Sequence, residues 1–195
     1  MAKGKIPVVQ YRRKASGRTN YRKRLRLLMS GKDRLVVRFS GNSVTAQIVN
    51  YHQTGDKVAF GVNSAGLEKF GWKFGIKSIP ASYLTGLLLA KQAKAKNYSG
   101  ELILDTGFAT IQKQGRMFAV LKGVMDGGLL IKHGETEILP DENTVSGKKI
   151  AEYAELLKKD ANEKYKKQFS KCILNGVDPI KMPEEFVKIK QALLG

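Results

Sequence analysis

The sequence predicts an α/β fold in which a mixed five-stranded sheet carries packed helices, with a basic N-terminal arm before it and a helical C-terminal extension after it. Three observations carry this expectation. Residues 35–62 hold three strand-like runs separated by short turns, the pattern of an antiparallel meander. Residues 79–132 then read as helix, strand, helix and strand, which adds parallel pairing through right-handed crossovers. Charge is split along the chain: residues 1–38 hold 13 Lys and Arg against one acid, residues 39–145 hold 11 against 9, and residues 146–195 hold 11 against 7. The expected organisation is a basic arm and first helix over 1–32, a mixed α/β domain over 33–145 and a helical extension over 146–195. A length of 195 residues with 42% hydrophobic content suits one core with appendages.

Each element has its own signals. Residues 1–18 show no periodicity and are expected to stay extended until a partner binds. Thr19 or Asn20 caps a helix to about Met29, with Gly31 just past its end. Tyr21, Leu25 and Leu28 recur at helical spacing and are expected to dock on the core, leaving Arg22, Lys23, Arg24 and Arg26 on the other sides. Leu35 to Phe39 is a β-branched-rich strand ended by Ser40-Gly41-Asn42; Val44 to Tyr51 alternates and ends at Thr54-Gly55-Asp56; Val58 to Val62 is the third strand. A glycine-rich connection with aromatics follows from Asn63 to Lys77. Ser78 then caps a helix from Ile79 to about Asn97, with Pro80 tolerated in its first turn. Leu102 to Asp105 is a fourth strand, Arg116 to Asp126 a helix stopped by Gly127-Gly128, and Leu129 to Lys132 a short fifth strand. From Ser146 the pattern is helical, with apolar stripes at Ile150, Tyr153, Leu156 and Leu157 and at Tyr165, Phe169, Cys172 and Ile173. Asn175-Gly176 breaks it before a last helix from about Pro183 to Leu194. These helices either wrap the domain or meet another macromolecule.

Composition removes several functions. A single cysteine, Cys172, permits no intrachain disulfide and points to a reducing compartment. His52 and His133 are the only histidines, too few with one cysteine to complete a zinc site. The longest apolar run, Leu84 to Ala90, is too short to span a bilayer, and the N-terminus lacks the apolar stretch of a signal peptide. The expectation is a soluble, intracellular protein with no membrane partner, no metal and no cofactor.

Phosphate-loop motifs fail on spacing. Gly61 and Gly66 leave four residues between them, but Leu67 stands where a Walker lysine belongs. The Gly71–Ser78 stretch has the composition of such a loop without its register. A backbone turn that brings Lys73 and Lys77 near RNA phosphate is more credible there than a nucleotide site, the alternative being a structural loop packed through Trp72 and Phe74. A meander followed by a crossover helix and further strands also describes the ribonuclease H-like architecture, so a nucleic-acid hydrolase has to be weighed. Two-metal hydrolysis needs several converging carboxylates, but the first strand carries Arg38 and no acid, and Asp105 and Asp126 are too few.

The most informative segment is the first. Residues 1–32 contain eleven basic side chains, Lys3, Lys5, Arg12, Arg13, Lys14, Arg18, Arg22, Lys23, Arg24, Arg26 and Lys32, and no carboxylate. A block of one sign repels itself and is held by an anionic partner. Phosphate backbone is the commonest such partner, since Lys and Arg gain free energy by releasing its condensed counterions. Tyr11 and Tyr21 are interleaved with these cations and either stack on unpaired bases or pack on the domain, with packing the better fit for Tyr21.

The stretches Arg12-Arg13-Lys14, Gly17-Arg18-Thr19-Asn20-Tyr21, Arg24-Leu25, Ala65-Gly66-Leu67, Lys69-Phe70-Gly71, residues 83–90, residues 121–129 and residues 165–170 stand in order along the chain. Together they resemble the universal L-eighteen family of large-subunit ribosomal proteins in its archaeal and eukaryotic form. The resemblance implies a ribonuclease H-like sheet without catalytic acids, binding to 5S ribosomal RNA and a place in the central protuberance. It further implies contact with large-subunit ribosomal RNA, the neighbouring 5S-binding ribosomal protein and other large-subunit proteins, in a cytoplasmic ribosome. The family role of the arm carries to Arg12, Arg13, Lys14, Arg18, Arg22, Lys23, Arg24 and Arg26, whereas Lys3, Lys5 and Lys32 rest on charge alone. The compact tract from Glu101 to Arg116 favours an archaeal-type source. The expected function is non-enzymatic; the rivals are an RNA-binding regulator acting off the ribosome and a nucleic-acid hydrolase.

Overall fold

The computed structural model describes residues 9–134 and 136–194. Lys3 and Lys5 lie outside the described residues. The arm is not wholly extended: Arg12–Ala15 form one helical turn (α1), closed at Gly17, whose φ of +64° suits a residue without a side chain. Asn20 caps the next helix, Tyr21–Leu28 (α2), accepting the backbone N–H of Lys23 at 3.1 Å.

The sheet has four strands, β1 (Asp33–Phe39), β2 (Val44–Asn50), β3 (Lys57–Asn63) and β4 (Leu102–Asp105), in the order β3-β2-β1-β4. The first three form the expected meander, β1 pairing antiparallel with β2 and β2 with β3, with a register shift at Ile48/Val49. β4 joins β1 in parallel, as a crossover through an intervening helix requires. The expected fifth strand is not formed. Leu129 to Lys132 makes one parallel bridge, Leu102 with Ile131, and Leu130 O accepts Leu102 N–H at 2.9 Å. β4 is only four residues long and the segment leaves it at once through Lys132 and His133 to Gly134, so no ladder propagates.

Period-two alternation decides the two faces. Leu35 and Val37 of β1, Val44, Ala46 and Ile48 of β2 and Leu102 of β4 are buried on one face. Helices α3 (Ile79–Ala95) and α4 (Arg116–Asp126) belong to the same apolar core. Ser78 caps α3 through its side chain and Pro80 occupies its first turn, as the sequence predicts. The two helices touch backbone to backbone. A Cβ on Gly123 would stand 3.1 Å from Leu87 N and far inside contact distance of Tyr83 O; one on Gly86 would collide with Val120 O. The glycine-rich connection packs through its aromatics: Trp72 and Phe74 are buried with ring centres 5.1 Å apart.

The extension comprises α5 (Glu142–Ser146), α6 (Lys148–Asp160), α7 (Asn162–Gln168), α8 (Ser170–Leu174) and α9 (Met182–Leu194). It shares the core rather than building another: Met182, Phe186, Ile189 and Leu193 of α9 are buried, and the Phe186 ring lies 5.5 Å from that of Tyr83 on α3. The stripes are only partly as expected. Leu157, Tyr165, Phe169 and Cys172 are inside, but Tyr153 and Leu156 face out, because Ala151 and Ala154 take the inner line of α6, and Ile173 of α8 is half-exposed. Among the described residues no helix is long and apolar enough to cross a membrane.

Candidate nucleic-acid interface

The second face of the sheet is charged. In β1 the residues that alternate with the core-facing Leu35 and Val37 are Arg34, Val36 and Arg38, so one strand presents two guanidiniums on the side away from α3. Asp105, opposite Val36 at the end of β4, lies between them. Arg34 Nη1 reaches Asp105 Oδ2 at 3.2 Å, and Arg38 Nη2 reaches Oδ1 at 3.2 Å. Arg38 Nη1 donates to the backbone carbonyl of Asp105 at 2.8 Å, and the Gly107 N–H donates to Oδ1 at 2.9 Å. Burial raises the Asp105 pKa, but the Arg38 charge, the Gly107 N–H and Arg34 outweigh it and hold the carboxyl below the usual aspartate range.

Helix α2 lies over this face, and it docks by polar contacts. Arg24 donates to both oxygens of Asp56, at 2.6 and 2.8 Å, the bidentate fit of a guanidinium on a carboxylate. Arg34 Nη2 stands 2.6 Å from Asp56 Oδ2, near enough for an ion pair though not directed as a hydrogen bond. The Arg24 hydrogen bond, with Arg34 beside it and against some desolvation, draws the Asp56 carboxyl down to about 2. The same partner raises Arg24. Lys23 donates from Nζ to Thr106 Oγ1 and to Gly107 O, the latter at 3.2 Å. The expected apolar dock through Tyr21, Leu25 and Leu28 is therefore corrected. No residue of α2 is buried and Leu25 is 62% exposed; the helix is held by Lys23 on Thr106 and Gly107 and by Arg24 on Asp56.

Between α2 and the sheet a cleft of about 290 Å³ opens, rimmed by Arg13, Arg18 and Arg38 with Phe108 at its edge. Val36 and Val49 line it together with Arg34, Asp56 and Asp105, and with the half-exposed Val58.

The basic residues expected at the interface fall into three groups. Arg12, Arg13, Lys14, Arg18, Arg22 and Arg26 are exposed on α1, α2 and the turn between them, and among the described residues none makes a salt bridge. Lys23, Arg24 and Lys32 are engaged by groups of the protein itself, Lys32 by Glu101 at 2.8 Å. Lys73 and Lys77 are not brought to the arm. Lys73 lines a groove beside Gly176 and Lys181 of the extension, and Lys77 Nζ donates to Ser40 O at 2.6 Å and Gly41 O at 3.1 Å, closing the β1–β2 turn. Tyr11 packs its ring on Tyr21, 5.2 Å between centres, while remaining mostly exposed.

Sequence reasoning missed Arg34, Asp56 and Phe108. The two arginines four apart in a strand were the available signal, since that spacing places them on one face opposite Leu35 and Val37. Of the two carboxylates weighed for hydrolysis, Asp105 is bound between arginines and Asp126 Oδ2 accepts the Tyr83 hydroxyl at 2.7 Å. Among the described residues no group of three or more His, Cys, Asp or Glu stands close enough to hold a metal ion. Residues 8–102, which span the arm, the meander, α3 and the start of β4, match the model of the family described as ribosomal large subunit proteins 60S L5 and 50S L18. That match supports reading the chain as a large-subunit ribosomal protein of the L18 type.

Proposed function

We propose that this chain binds 5S ribosomal RNA and helps attach it to the large subunit in the central protuberance, beside the neighbouring 5S-binding protein. The observation that carries the reading is the division of labour among the arm's cations. Lys23 and Arg24 fix α2 to the sheet, which leaves Arg12, Arg13, Lys14, Arg18, Arg22 and Arg26 displayed on a segment of defined shape. Phosphate contacts from such a segment supply affinity without reading sequence, and the fold sets the shape of RNA that fits. A sheet order with β1 between an antiparallel and a parallel neighbour agrees with a ribonuclease H-like ancestry. Arg34 and Arg38 flanking Asp105 suit a binding role better than a catalytic one, and the short Glu101–Arg116 tract supports an archaeal-type member.

Counterion release gives the test. If the six displayed cations neutralise six phosphates, log K falls with log salt at a slope of magnitude about 4–5. A chain lacking residues 1–18 should lose at least about 3 of that magnitude, since Arg12, Arg13, Lys14 and Arg18 go with them. Filter binding to 5S RNA between 50 and 400 mM salt (~ranges set by the Debye regime) measures both slopes. An unchanged slope overturns the arm as the main electrostatic contact, and a chain that does not co-sediment with large subunits favours a regulator off the ribosome.

A further inference from the structure

We propose that the cleft between α2 and the sheet receives one unpaired nucleotide of the bound RNA, its base stacked on Phe108. The proposal rests on the RNA-binding reading above and names what that RNA must offer.

Phe108 is 58% exposed, and the backbone that carries it is held in place. It sits in the turn from Thr106 to Ala109, closed by the Ala109 N–H on Thr106 O at 3.1 Å. Polar contacts pin this turn from two sides. Lys23 of α2 binds Gly107 O, and Arg38 of β1 binds the Asp105 carbonyl. Gly107, at φ +57°, lies so close under the Arg38 guanidinium that a Cβ would stand 2.9 Å from its Cζ. An aromatic plane fixed at the edge of a cationic cleft is the arrangement on which an unstacked base settles.

The interior specifies the rest of the ligand. Arg34 is 3% exposed and its Nε has no hydrogen-bond partner among the described residues. A buried N–H left unsatisfied is costly, so the occupant should bring an acceptor such as a base carbonyl or ring nitrogen. Val36 and Val49 offer a bare inorganic anion nothing, and the inner guanidiniums of Arg24 and Arg34 are already engaged by Asp56 and Asp105. The anionic part of the ligand therefore stays at the rim with Arg13, Arg18 and Arg38, while the neutral base enters. A base has a π face, an acceptor edge and a tethered phosphate, and the cleft answers all three.

The test uses the full chain, with Phe108→Ala and Phe108→Tyr, on three RNAs: 5S ribosomal RNA, an unpaired eight-nucleotide RNA and a fully paired RNA duplex. Phe108→Ala should weaken binding of the first two about tenfold, within the range of a lost base stack. It should leave duplex binding, the salt slope and the thermal midpoint unchanged, while Phe108→Tyr keeps the affinity. Wild-type affinity in Phe108→Ala on both unpaired probes, or an equal loss on the duplex, overturns the proposal. A wild-type chain that ignores 5S RNA overturns the assignment to 5S instead, and the oligonucleotide–duplex comparison still decides the cleft.

Discussion

Asp56 receives Arg24 in bidentate fashion and lies against Arg34, so one surface carboxylate joins the arm to the sheet. Its carboxyl titrates at about 2 in the fold, against about 4 in an unfolded chain. Because the folded value is depressed, the contribution is complete above about pH 4 and is lost as pH falls towards 2. Asp56→Asn should cost about 1 kcal/mol at pH 7, once solvent screening of a partly exposed pair is allowed for. Urea unfolding of both proteins at pH 7, 4 and 3 checks the sign: the gap between them should narrow across the last step. At this scale the site was half legible. The exposed arm arginines follow from a charge run without acids, a property of neighbours in sequence. Arg34 and Phe108 gain their meaning from partners 71 positions away in one case and from a loop pinned by a different helix in the other.

Among the elements, α3 and α4 make the tightest contact, and it depends on two glycines. Gly123→Ala places a methyl against Tyr83 O and Leu87 N, and neither backbone atom can retreat without bending a buried helix. An overpacked interior of this kind costs about 2–3 kcal/mol, which for a chain of this size lowers the thermal midpoint by roughly 5–10 °C. Gly41→Ala, in a turn with open space around it, should leave the midpoint in place; differential scanning calorimetry of both variants measures the difference. The helices themselves were readable from Ser78, Pro80 and the Gly127-Gly128 stop, and the meander from its turns. The expected fifth strand failed because its segment meets β4 only where that strand starts, at Leu102 with Ile131, and pairs no further along it. The docking side of α2 failed for another reason. Periodicity ranks Tyr21, Leu25 and Leu28 as the inward stripe, and it carries no knowledge that the facing sheet presents acids.

Across the whole molecule, the C-terminal extension is tied to the same interior as the sheet. Phe186 stacks near Tyr83, Lys91 Nζ donates to Ala192 O at 2.8 Å, and four α9 side chains are buried. Phe186→Ala should therefore destabilise the chain by about 3–4 kcal/mol. Trp72 fluorescence and far-ultraviolet dichroism should report one coincident transition in both proteins. Helical signal melting ahead of Trp72 would instead mark the extension as a separate unit. The polar dock of α2 has a further consequence, for temperature. Removing ions from water becomes less costly on heating, whereas burial of apolar surface weakens on cooling. A helix clasped by Arg24 and Lys23 therefore does not share the cold sensitivity of the apolar interior beneath it. As the molecule warms, the arm should keep its bearing on the sheet relative to the rest of the fold, so the proposed RNA-binding surface should retain its shape in the heat.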